Sequence, residues 1–172
     1  MKMKIEGPVC RLGHNAGPHQ AIQILLSRTG RHFDAGGRAR FDPVGSDSLT
    51  GPVSNDAGYC IIVAGHNFGS DFIADDICAL KQMGIPCVIA ASFARHFFRE
   101  AVNSGMPLIE SRETYERIGA GEHITIDFEH GQIAGDAGPI SFPAYPEVFS
   151  RIISAGGLLA STRKAISRLP SG

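Results

Sequence analysis

The 172-residue chain carries almost no excess charge: 16 Lys and Arg stand against 17 Asp and Glu, a formal net charge of -1. That balance removes the electrostatic reason to expect nucleic acid or an anionic membrane as partner. The basic residues are scattered, and no aromatic stacking platform accompanies them. Long hydrophobic runs are missing as well. No window approaches a membrane span, and Met1-Lys2-Met3-Lys4-Ile5-Glu6 turns polar before the apolar region of a signal peptide could form. The four cysteines (Cys10, Cys60, Cys78, Cys87) show no CxxC or Cys/His spacing. Cys10, Cys60 and Cys87 sit in short apolar runs, where cysteine acts as a small buried hydrophobe rather than a ligand. A reduced, cytoplasmic setting is the expectation, with no metal or cluster held by this chain.

What is present is an apolar content of 43%, enough in a chain of this length for one domain, 1–172, with its own core. No internal repeat stands out. Ile5 to Leu12 reads as a strand and Pro18 to Leu26 as a helix. The segment 29–58 is rich in Gly, Asp, Ser, Pro and Thr, and reads as a functional flap or a disordered insert. Tyr59-Cys60-Ile61-Ile62-Val63-Ala64 is a continuous apolar run, as for a strand covered on both faces. Ser70 or Asp71 is the expected N-cap of a helix carrying Ile73, Ile77 and Leu80 and ending at Gly84. Pro86 to Ala91 is a second buried strand, and Ser92 is the expected cap of a helix through Phe97, Phe98, Ala101 and Val102. A short strand at Leu108-Ile109, a short helix from Ser111, a hairpin through Ile124, Ile126, Phe128 and Ile133, and two C-terminal helices complete the pattern. The expected class is α/β, a mixed sheet with helices around it.

The chemistry concentrates at Gly65-His66-Asn67-Phe68-Gly69, between a buried strand and a helix start. Backbone N–H groups exposed there favour a carboxylate or phosphate. Asn67 adds an amide and Ser70 a hydroxyl. The turn is neither a P-loop nor a GxGxxG fingerprint. Two readings stay open: an anion-binding loop, or a tight turn with a capping residue.

Three stretches carry a family resemblance: Ile62-Val63-Ala64-Gly65-His66-Asn67-Phe68-Gly69, Gly84 to Arg95, and Phe98-Arg99-Glu100-Ala101-Val102-Asn103-Ser104-Gly105. Together they resemble the small subunit of 3-isopropylmalate dehydratase, the swivelling β/β/α domain of the aconitase superfamily. The resemblance covers most of the chain from about Tyr59 onward. It implies a domain that is not an enzyme alone. Such a domain caps a large aconitase-type subunit whose [4Fe–4S] cluster acts as Lewis acid on a small hydroxy-acid substrate. It also implies substrate contact through Gly65, His66, Asn67 and Gly69.

The departures fall on the chemistry. The family's loop continues Cys-Gly-Ser-Ser-Arg-Glu, where a serine takes the proton from carbon and the arginine grips a carboxylate. Here Gly69 is followed by Ser70-Asp71-Phe72-Ile73-Ala74-Asp75-Asp76, which leaves Ser70 and Asp71 as the candidate catalytic groups. The family's Thr-Asp-x-Ile-Ile-Pro signature is replaced by Pro18-His19-Gln20-Ala21-Ile22-Gln23. Leu26-Ser27-Arg28-Thr29 echoes a substrate-choosing loop, so Arg28 either reaches a ligand or is simply solvated. Arg95, in the first turn of a helix, implies a nearby carboxylate or ligand, because the helix dipole disfavours a cation there. His14, His19 and His66 lie near the presumed site, each readable as an acid–base group or as an ordinary polar residue. Three functions follow: a hydro-lyase small subunit, the same with a less anionic substrate, or a catalytically silent paralogue that binds or regulates.

Overall fold

The computed structural model describes residues 3–29, 31–33, 39–41, 60–73 and 75–167. The chain runs β1 (Lys4–Arg11), α1 (Pro18–Thr29), β2 (Arg31–Phe33), β3 (Ala39–Phe41), β4 (Ile61–Ala64), α2 (Asp76–Gln82), β5 (Val88–Ala90) and α3 (Arg95–Asn103). It continues through β6 (Leu108–Glu110), α4 (Arg112–Arg117), β7 (His123–Asp127), β8 (Gln132–Ala134), β9 (Ile140–Ser141), α5 (Glu147–Ala155) and α6 (Leu158–Ile166). Of the flap expected over 29–58, the described part holds β2 and β3, which pair antiparallel with Arg31 opposite Phe41; the rest lies outside the described residues.

One seven-stranded sheet has the order β6-β5-β4-β1-β7-β8-β9. Its first four strands are parallel, and β1 switches the sheet to antiparallel pairing with β7. The apolar runs of β4 and β5 are continuous because both faces are covered. On one face Cys10, Ile62, Ala64, Val88 and Ala90 pack against α1, α2 and α3 through Ile22, Ile77, Leu80, Phe97 and Ala101. On the other, Val9, Ile61, Val63, Cys87 and Ile89 share a cluster with Ile124, Ile126, Phe128, Ile133 and Ile140 of the antiparallel half. The layers are therefore helix, parallel sheet and antiparallel sheet, the β/β/α arrangement expected. Cys10, Cys60 and Cys87 are buried as expected, and burial raises the Cys87 thiol far above its ordinary pKa.

Two expected helix starts need correction. The helix after the turn begins at Asp76, with Asp75 as its N-cap residue, not Ser70 or Asp71. The chain first makes a turn in which the Phe72 N–H donates to the Gly69 carbonyl (3.2 Å). The buried Asp76 carboxylate then accepts from the Ile73 N–H (3.0 Å), which holds the chain non-helical up to that point and leaves Ile73 exposed. Ser92 is not a helix cap either. Ala94 precedes α3, and the Ser92 hydroxyl is taken by a neighbouring loop.

Candidate functional site

Parallel strands release their chains at one edge, and in α/β sheets ligands collect there. The loops after β1, β4 and β5 meet at that edge. Gly13-His14-Asn15-Ala16-Gly17 leaves β1, and Gly65-His66-Asn67-Phe68-Gly69 leaves β4. Both read Gly-His-Asn-x-Gly.

Because β1 and β4 are parallel neighbours, the two loops lie side by side and are laced together. The Asn15 N–H donates to the His66 carbonyl (2.8 Å), the Gly69 N–H to the Ala16 carbonyl (2.9 Å), and the Gly65 N–H to the Gly13 carbonyl (3.1 Å). Both asparagines adopt left-handed backbone, Asn15 at φ 53° and Asn67 at φ 59°, a region asparagine tolerates better than most residues. The Asn67 amide also donates to Asn15 Oδ1 (3.1 Å). The third loop joins through Ser92: the Phe68 N–H donates to its carbonyl (3.0 Å), and the Asn67 N–H to its Oγ (2.9 Å).

Two glycines make this closeness possible. A Cβ at Gly65 would lie 2.5 Å from His14 Nδ1, so any side chain there would push the imidazole away. Gly69 has φ +90°, and a Cβ on it would sit 2.4 Å from Phe97 Cβ. Beneath the turn, Phe68, Phe97 and Phe93 pack edge-on or stacked with centroids 5.1 to 6.3 Å apart, an apolar floor that fixes the loops.

The histidines form the exposed surface of this lacing. The His14 and His66 rings are stacked, centroids 5.3 Å apart and planes 13° from parallel. The His66 N–H donates to His14 Nδ1 (3.0 Å). A neutral His14 that accepts at Nδ1 carries its proton on Nε2. His66 Nδ1 lies 3.4 Å from Ser92 Oγ, which can serve as donor or acceptor, so His66 is free to hold either tautomer. Tyr115 of α4 meets His14 edge-on at 5.2 Å, and the Arg11 guanidinium lies 4.6 Å from the Tyr115 ring centroid. Arg11 also donates to the Tyr115 carbonyl (2.8 Å).

The other expected site residues fall around this centre. The Ser70 hydroxyl donates to the Asn15 carbonyl at 3.4 Å. Asp71 is exposed, and its carboxylate lies over Gly17, where a Cβ would come within 1.3 Å of Oδ1. Arg95 is exposed at the start of α3 and, among the described residues, makes no hydrogen bond or ion pair, so no carboxylate answers it there. Arg28 falls in the last turn of α1, and its side chain lies outside the described residues. His19 pairs with Gln23 on α1 (3.0 Å). Asn15, Ser92 and Tyr115 are absent from the sequence-based site. The signal that points to Asn15 is the pentapeptide shared by the two loops.

Among the described residues no three His, Cys, Asp or Glu side chains gather, and three of the four cysteines are walled into apolar packing.

No family model matches the chain. It is similar to the 3-isopropylmalate dehydratase small subunit of Aquifex aeolicus, 33% identical over 170 residues, 97% of this chain and 99% of that protein. The 2,3-dimethylmalate dehydratase small subunit of Eubacterium barkeri is 34% identical over 160 residues, 91% of this chain and 95% of that one. Among solved structures, a 3-isopropylmalate dehydratase from Methanocaldococcus jannaschii superposes with TM-score 0.69 at 25% identity, covering 96% of each chain.

Proposed function

This chain belongs to the family of 3-isopropylmalate dehydratase small subunits, and we propose that it works as the small subunit of a hydro-lyase on a malate-type acid. The observation that carries this reading is similarity over nearly the whole length of chain and relative alike. The partner is a large aconitase-type subunit, which brings the [4Fe–4S] cluster. This chain brings the laced loops at the carboxyl edge of β1, β4 and β5, and closes over the substrate with them. Among the described residues no helix is long and apolar enough to cross a membrane.

Within the site, the backbone around Gly65, His66, Asn67 and Gly69 faces the substrate, with Ser70 and Asp71 at its edge. Arg95, exposed and without an ion-pair partner among the described residues, is the cation best placed to meet a carboxylate, and Arg28 is a second. The test is co-purification with an aconitase-type large subunit, followed by assay of the assembly on malate-type diacids. Hydration and dehydration by the assembly, and by neither chain alone, is the expected result. An assembly that turns over no such acid would overturn it.

One observation favours a less anionic substrate. Asp75, exposed, and Asp76, buried, stand in the region where the family's loop places an arginine. Grafting Ser-Ser-Arg-Glu into this loop should then move the preference toward dicarboxylates, and an unchanged substrate profile would contradict that reading.

A further inference from the structure

The twin Gly-His-Asn-x-Gly loops place two imidazoles in one stack but give them different bonding. We infer that His66 is the proton-transferring residue of this site and His14 its fixed hydrogen-bond donor, together taking the part of the family's Ser-Ser-Arg, which Ser70-Asp71-Phe72-Ile73 does not reproduce after Gly69. This rests on the hydro-lyase reading and names the groups that would act in it.

The asymmetry comes from the bonds. His14 accepts the His66 N–H at Nδ1 (3.0 Å), so its neutral ring has a proton on Nε2 and can only donate there. A fixed neutral donor suits the developing charge on a carboxylate whose α-carbon loses a proton. His66 has no such constraint. With Nδ1–H turned to Ser92 Oγ (3.4 Å), its Nε2 is a free base; after accepting a proton there, the same bond remains. Both rings are exposed, and among the described residues neither Nε2 atom has a partner. Lacing the loops requires only His14 Nδ1. It gives no reason for a second imidazole stacked 5.3 Å away with its outer nitrogen open. Among the described residues the groups facing the pair are Tyr115 from α4 and, behind it, Arg11 of β1, and no carboxylate is bonded to either ring.

The step balances without a further reactant. His66 Nε2 takes the proton from the carbon beside a carboxylate, and the C–H pair becomes the second bond of the alkene. The hydroxyl on the adjacent carbon leaves with its bonding pair. The substrate thus loses a proton and a hydroxide, together one water, and His66 returns its proton to solvent. Ser92 is a positioning residue in this scheme, because it touches His66 rather than the reacting atoms.

Steady-state kinetics of the assembly with its large subunit test the assignment. His66→Gln keeps an amide near Nε2 but cannot carry a proton, and should lose at least about 100-fold in kcat with KM moved less than about threefold. That loss should exceed those of S70A and D71N; the reverse order would overturn the proposal. Ser92→Ala should lower kcat with KM moved less than about threefold, and Ser92→Thr should restore it; loosening the Asn67 N–H contact alone would raise KM as well. A second measurement separates this proposal from the hydro-lyase reading. If the wild-type assembly turns over no diacid, that reading fails, and imidazole 15N spectra of the full chain titrated with malate decide the pair. Perturbation of both His14 and His66, with His14 in the Nε2–H tautomer, upholds the pair as the ligand-facing groups of the site. Unperturbed rings, or His14 protonated at Nδ1, overturn it.

Discussion

The two halves of the sheet use the same side chains for different ends. In the antiparallel half, a carboxylate and a histidine close on each other. Asp127 Oδ1 accepts from the Glu129 and His130 N–H groups (2.9 and 3.1 Å), and Oδ2 meets His130 Nδ1 (3.0 Å) and Lys4 Nζ (3.2 Å). The His130 side chain, its backbone N–H and then Lys4 hold the Asp127 carboxyl well below the usual carboxylate range. That histidine is spent on a turn. In the parallel half, His14 and His66 bond only neutral partners and present their outer nitrogens. In this molecule the carboxylate-bonded histidine closes a turn, whereas the stacked pair bonds neutral partners and leaves its outer nitrogens open.

Substitutions can break this division or sharpen it. The largest effect on stability is expected where the floor of the site is cut. Phe97→Ala should cost about 3–5 kcal/mol by urea denaturation and also lower kcat of the assembly, because Phe97 underlies Gly69 and Phe68. Ile126→Ala in the antiparallel core should cost about 2–5 kcal/mol and leave kcat within twofold. Equal loss of kcat in both would break the comparison.

Next in size are the glycines. Gly69→Ala, at φ +90° and against Phe97, should cost about 1–3 kcal/mol in the same denaturation. Gly65→Ala should displace His14 and show its loss mainly in turnover rather than in the denaturation midpoint. A smaller loss is expected for Tyr145→Phe. Its hydroxyl, whose pKa is pushed far up mainly by burial, accepts the Leu108 N–H at 2.6 Å. Leaving that N–H unanswered should cost about 1–2 kcal/mol, read as a lower thermal midpoint.

The smallest effect is one of pH. Because the folded-state pKa of Asp127 is depressed, its contribution is present above the unfolded value of about 4 and is lost as pH falls toward the folded value. The thermal midpoint of wild type should exceed that of D127N at neutral pH, and the gap should close on acidification below about pH 4. A gap that stays constant from neutral to acid pH would remove Asp127 from the account.

Much of the fold is legible in the sequence for a simple reason. The runs at Ile61–Ala64 and Val88–Ala90 are apolar at every position because both faces are covered, and α3 buries Phe97, Ala101 and Val102 at helical spacing. The misplaced helix starts share a cause: capping propensity is local, while Ser92 is claimed by Asn67, 25 residues earlier, and Asp76 by the turn before it. The site is legible only in part. The Gly65–Gly69 turn marks itself by its glycines and its family resemblance. His14 and His66, taken singly, read either as acid–base groups or as ordinary polar residues, and His66 also as a substrate contact implied by the resemblance. Only the parallel pairing of β1 with β4 makes them one stacked pair.

The most direct test of the account is solvent deuterium wash-in at the carbon beside the substrate carboxylate, followed by mass spectrometry on the assembly with its large subunit. The wild-type chain should support exchange, and the H66Q chain should slow it at least about 100-fold while still assembling. Exchange at equal rates in the two assemblies would contradict the claim that His66 carries the proton transfer.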